Sequence, residues 1–138
     1  MTLKMPPAIM ETALYCEDLE KAKQFYCDVL GLEIIAEGEG RHVFFMLEGS
    51  VLLIFNPQVT DKPSPAARFP VPHHGAKGPG HACFRADGEA LDAWRKRLQD
   101  AGVEIEEEIT WANGARSLYF RDPAGNSLEF GEGRLWNI

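Results

Sequence analysis

The sequence predicts an α+β fold built from two βαβββ modules that curve as sheets around a shared cleft. Three observations carry this. Two segments about seventy residues apart share one layout: a short strand, an amphipathic helix, a glycine stop and a second strand. Each half then closes on two further alternating runs joined by a turn. The length of 138 residues suits one domain and leaves no room for two large ones.

The elements follow in order. Glu11 opens a short strand, ETALY, that runs into a helix carrying Leu19, Ala22, Phe25, Tyr26, Val29 and Leu30 on one face. Gly31 stops that helix, and 32–37 (LEIIAE) reads as a strand. Runs at 42–47 and 51–56 complete the first module, joined through Glu48-Gly49-Ser50. His81 then opens a second strand, and Leu91, Trp94, Leu98 and Ala101 mark a second helix that Gly102 ends. The two helix exits, VLGLEI and DAGVEI, match in shape. The spacing predicts strands at 103–108, 117–121 and 127–131, the last two joined by the strong turn Asp122-Pro-Ala-Gly-Asn126. The modules are thus 8–56 and 80–138. The Pro- and Gly-rich stretch 57–79 between them is long enough to be a functional loop, or a linker that folds over a site.

Composition narrows the function. An apolar fraction of 45% and a charged fraction of 25% fit a globular chain and argue against disorder. The formal charge of −7 argues against nucleic acids and anionic membrane surfaces as partners, leaving a small molecule as the default. No apolar run approaches the ~20 residues of a membrane span. Nothing at the N-terminus has the form of a signal peptide. Cys16, Cys27 and Cys83 form an odd set without CxxC spacing, which favours a reducing, cytoplasmic setting over a disulfide framework.

If the halves are equivalent, four positions on their first and last strands correspond: Glu11, Leu53, His81 and Glu129. Three of these side chains are metal ligands by type. Two carboxylates and one imidazole suit a divalent ion that keeps open positions. Cys83 and Arg85 share the His81 face by strand alternation, and Arg85 is a candidate for a substrate carboxylate or phosphonate. Phe44, Phe55 and Trp136 are candidate aromatic walls, His42 a candidate cavity residue, and His73-His74 a candidate lid. The acidic cluster Glu104 to Glu108 reads as a solvated strand edge.

The stretches ETALYCEDLEKAKQFYCDVLGLE, GHACF and LYFRDPAGNSLEF together resemble the vicinal oxygen chelate superfamily, over roughly residues 8 to 136. That group includes glyoxalase I, fosfomycin-resistance thiol transferases, extradiol dioxygenases, methylmalonyl-CoA epimerase and bleomycin-binding proteins. The resemblance implies metal ligands at Glu11, His81 and Glu129. It also implies a substrate-touching, proton-moving phenol at Tyr119. The chain departs from the pattern at three places. Glu11 stands where the family usually has His or Gln. Leu53 stands where glyoxalase I has a fourth ligand. Ala13 stands where fosfomycin enzymes carry Thr.

The activity these residues imply is lyase or isomerase chemistry on a metal-chelated oxyanion. Tyr119 and Glu129 would be catalytic, and Tyr119, Arg85, Phe55 and Trp136 would contact substrate. The ion would be Mn²⁺, Fe²⁺, Zn²⁺, Ni²⁺ or Mg²⁺, and the chain is expected to form a homodimer. The alternatives are an extradiol-type dioxygenase and a non-catalytic drug- or metabolite-binding resistance protein.

Overall fold

In the computed structural model, which describes residues 1–138, the alternating runs form two four-stranded sheets of identical topology. The first half contains β1 (Glu11–Tyr15), α1 (Leu19–Gln24), β2 (Glu33–Gly38), β3 (His42–Leu47) and β4 (Ser50–Phe55). A short helix α2 (Pro57–Thr60) opens the connecting segment. The second half contains β5 (His81–Arg85), α3 (Glu89–Asp100), β6 (Glu107–Thr110), β7 (Arg116–Arg121) and β8 (Ser127–Gly131). The strand orders are β1-β4-β3-β2 and β5-β8-β7-β6. In each sheet the first strand runs parallel to the last, and the remaining pairs are antiparallel.

The duplication holds residue by residue. Leu53 lies opposite Ala13 and Phe44, as Glu129 lies opposite Cys83 and Tyr119. His42 faces Phe55 across the ladder where Ser117 faces Gly131. Leu53 and Glu129, Phe44 and Tyr119, and His42 and Ser117 are therefore matched positions.

Local chemistry explains the helices. The Asp18 carboxylate accepts the Lys21 N–H at 3.1 Å and caps α1. The helix widens into one π-helical turn over Phe25–Val29, which buries both Phe25 and Tyr26. Gly31 and Gly102 adopt φ of 69° and 73°, left-handed values that carry the chain out of each helix without Cβ strain.

One expected strand is shorter and later than the alternation suggested. Residues 103–106 stay off the ladder apart from Glu106 N–H to the Tyr119 carbonyl at 2.8 Å, and β6 begins at Glu107. Val103 and Ile105 alternate because they pack on the core, not because their backbone pairs.

Both helices cover the same side of their sheets, and those sides merge into one core. Leu14, Tyr26, Phe45, Leu52 and Ile54 from the first half join Leu91, Leu98, Leu118, Phe120 and Leu128 from the second. Each such side chain, fully buried, contributes roughly 1.5–3 kcal/mol of transfer free energy. Polar ties cross the same seam. The Tyr26 hydroxyl donates to Asp122 at 2.7 Å, and Arg97 donates to the Asp28 and Val29 carbonyls at 2.7 and 3.1 Å. The opposite faces of both sheets remain open, and they carry the candidate residues. No helix is long and apolar enough to cross a membrane.

Candidate metal and substrate-binding site

Glu129 sits on β8 between Leu128 and Phe130, which point into the core, so its own side chain emerges on the open face. It is only 5% exposed. A buried carboxylate needs compensation, and a hydroxyl supplies it on one side. The Ser117 hydroxyl donates to Oε2 at 2.6 Å, and Ser117 in turn accepts the Trp111 indole N–H at 2.9 Å. Oε1 lies 3.4 Å from His81 Nε2.

The tautomer of His81 follows from its other nitrogen. Nδ1 is 2.8 Å from the Ser127 carbonyl, which only accepts, so Nδ1 carries the proton. In the neutral ring Nε2 then presents a lone pair toward Glu129. Two lone-pair donors facing each other, each braced from behind by a hydrogen bond, suit a shared cation. Tyr119 stacks beside His81 with ring centroids 6.4 Å apart. Burial, reinforced by the Glu129 charge, raises the Tyr119 pKa, so the phenol stays a proton donor through neutral pH. Desolvation and Glu129 likewise push the Cys83 thiol up to about 12.

Glu11 is elsewhere. Within one chain it does not join His81 and Glu129, and no group of three His, Cys, Asp or Glu side chains is disposed to hold a metal ion. The reason is topological. β1 and β5 are edge strands of separate sheets, each paired on one side only, and they do not pair with each other.

Glu11 instead lines a cavity of about 510 Å³ on the open face of the first sheet. Ala13 and Tyr15 of β1, Leu53 and Phe55 of β4, and His42 and Phe44 of β3 form its floor. Val71, Pro72 and His74 of the connecting segment form a wall, and Arg41 also lines it. The wall is tied down: Tyr15 Oη is 2.7 Å from His74 Nδ1, and His74 N–H donates to the Thr60 carbonyl at 2.8 Å. Phe55, Phe44 and His42 line this cavity, and His74 belongs to its wall. His73 is exposed and outside it.

Two expected substrate contacts are placed differently. Trp136 follows a 3₁₀ turn (Gly133–Leu135) beyond β8, is 75% exposed and lies outside the cavity. Arg85 is already engaged, donating to Asp87 at 2.6 Å and to the Ile138 carbonyl at 2.9 Å. Reasoning from sequence missed Trp111, Ser117 and Arg41. Only the matched positions of the duplicated sheet signalled Ser117, opposite His42 in the repeat.

The two open faces, one polar with a carboxylate–imidazole pair and one aromatic, belong to two copies of one βαβββ module. The chain belongs to the Glyoxalase/Bleomycin resistance protein/Dioxygenase superfamily, whose family model matches residues 8–130. It is similar to a solved structure of lactoylglutathione lyase from Agrobacterium tumefaciens, with 46% identity, a TM-score of 0.93 and coverage of 98% of this chain and 100% of that one. It is 29% identical over 119 residues to metallothiol transferase FosB from Staphylococcus saprophyticus, covering 86% of this chain and 72% of that protein. The fold is also that of the fosfomycin resistance protein FosX from Listeria monocytogenes, at 21% identity, a TM-score of 0.65 and coverage of 94% and 95%.

Proposed function

We propose that the protein is a divalent-metal lyase or isomerase of this superfamily, acting on a small substrate with adjacent oxygens. The observation that carries this is the facing pair His81 Nε2 and Glu129 Oε1, both aimed by hydrogen bonds from behind. His81 and Glu129 would hold the ion, with Glu11 of the partner subunit as third ligand. Similarity to lactoylglutathione lyase and to metallothiol transferase FosB supports a reaction at such an ion. Leu53, where a fourth ligand would stand, sets this chain apart from a four-ligand glyoxalase site. A bound divalent ion supplies Lewis-acid stabilisation of the oxyanion that forms on the substrate.

The chain's own residues do the rest. Ser117 and Trp111 keep the Glu129 carboxylate in one orientation. Tyr119 stands next to the pair with its proton retained and donates it to a developing oxyanion. The aromatic cavity seats the part of the substrate that does not react.

Sharing between copies follows from the edge strands. Docking the free edge of β1 on the free edge of a partner's β5 brings a first-sheet face and a second-sheet face into one cleft. The test is complementation. Glu11→Ala and His81→Ala proteins, each alone, are expected to lose stoichiometric divalent metal by elemental analysis. Mixed and re-equilibrated, they should regain about a quarter of the wild-type metal, because about half the dimers are then mixed and half the sites of a mixed dimer are intact. No recovery on mixing sinks the shared site. A metal-loaded wild type that retains no ion sinks the whole reading.

A further inference from the structure

The matched positions of the two sheets have diverged in opposite directions. Where the second sheet carries Glu129, Tyr119 and Ser117, the first carries Leu53, Phe44 and His42. On its two central strands the first face carries an aliphatic chain and a phenyl ring where the second carries a carboxylate and a phenol, and an imidazole where the second carries a hydroxyl. Those rings are arranged as a box. His42 stacks on Phe44 with centroids 4.2 Å apart and planes 17° off parallel. Phe44 and Phe55 meet edge to face at 5.3 Å, and His74 closes on Phe55 edge to face at 4.5 Å. The His42 ring rests on Gly38, where a Cβ would come within 2.6 Å of His42 Cε1. Glycine at 38 is therefore what lets the imidazole lie flat against Phe44.

The charge of the cavity is just as specific. Two charged side chains line it at opposite ends of β4: Arg41 next to His42, which pairs with Phe55, and Glu11, which pairs with Val51. Arg41 forms no ion pair with any carboxylate of the chain. His42 does not add to that charge. Burial, helped by Arg41, lowers its pKa, and Nδ1 is enclosed without a hydrogen-bond partner. A guanidinium at the end where the rings gather, with the Glu11 carboxylate at the far end, is complementary to an aromatic ring that bears an anion.

We propose that the first-sheet cavity binds the aryl group of an aromatic carboxylate, with the ring packed among Phe44, Phe55 and His42 and the anion held by Arg41. This names the substrate class of the metal reading and rests on that reading for its link to catalysis. The binding itself requires only the first sheet.

The test is titration of chelator-treated protein with phenylacetate, cyclohexylacetate, benzyl alcohol and benzylamine, followed by the ring proton resonances of His42 and His74. Phenylacetate should bind saturably and shift both rings. Phe44→Leu keeps bulk but removes a π face, and should weaken phenylacetate by about three- to tenfold while leaving cyclohexylacetate nearly unchanged. Arg41→Gln should weaken phenylacetate and spare benzyl alcohol. Gly38→Ala should displace the His42 ring and weaken phenylacetate without altering metal content. Equal affinity for cyclohexylacetate, tighter binding of benzylamine, or no binding at all overturns the inference. A protein that holds metal yet fails here keeps the metal reading and loses this one. A protein that binds phenylacetate yet holds no metal does the reverse.

Discussion

Ser117 has one proton and gives it to Glu129, so the orientation of the carboxylate depends on a hydroxyl that is itself held by the Trp111 indole. Removing the hydroxyl leaves one carboxylate oxygen without its donor and lets the side chain turn. Ser117→Ala is expected to weaken divalent-metal affinity by about ten- to a hundredfold, the usual scale for losing a group that orients a ligand. Trp111→Phe, which deletes only the N–H, should give a smaller loss in the same direction. Metal competition titrations read both, and unchanged affinity in Ser117→Ala refutes the orienting role. Glu129 and His81 were legible in the sequence by residue type and repeat position. Trp111 was not, because its contribution is a single hydrogen bond within the β6–β7 hairpin and leaves no trace in spacing.

At the scale of elements, the turn between β7 and β8 does more than reverse the chain. Asn126 is 2% exposed. Its amide donates to the Tyr15 carbonyl at 3.1 Å and to Asp122 at 2.9 Å, and its oxygen accepts the Gly80 N–H at 2.7 Å. It therefore joins the end of β1, the entry to β5 and the turn itself, and holds the modules in register. Asn126→Ala leaves the Gly80 N–H and the Tyr15 carbonyl without that partner, at a cost of about 2–4 kcal/mol. Urea denaturation should show the lower midpoint, and an unchanged midpoint contradicts the joining role. The turn was readable from Asp-Pro-Ala-Gly-Asn, since those residues favour reversals. Its second task was not, because the groups it satisfies lie 46 and 111 residues away along the chain. Strand β6 shows the converse. Alternation at 103–106 came from side-chain burial, and period-two burial alone does not decide where a backbone pairs.

For the whole molecule, the helix-side faces of the two sheets are consumed in one core, and the open faces with their edges β1 and β5 are left over. A site assembled across copies behaves differently from one inside a chain. Its metal affinity is expected to fall as the protein is diluted through its dimer dissociation constant, by mass action. Metal titrations at a series of protein concentrations measure this, and an affinity independent of concentration places the site within one chain.

The sequence by itself determined the duplication, the family resemblance, the ligand-type residues at matched positions and the acidic character of the chain. These are properties of composition, period and local order, which neighbours along the chain dictate. The tertiary structure decided that His81 and Glu129 face each other while Glu11 lies on another sheet, that Arg85 and Trp136 are drawn away, and that rings converge over Gly38. Those outcomes depend on how the two sheets pack, and packing joins residues whose separation along the chain carries no signal of their meeting.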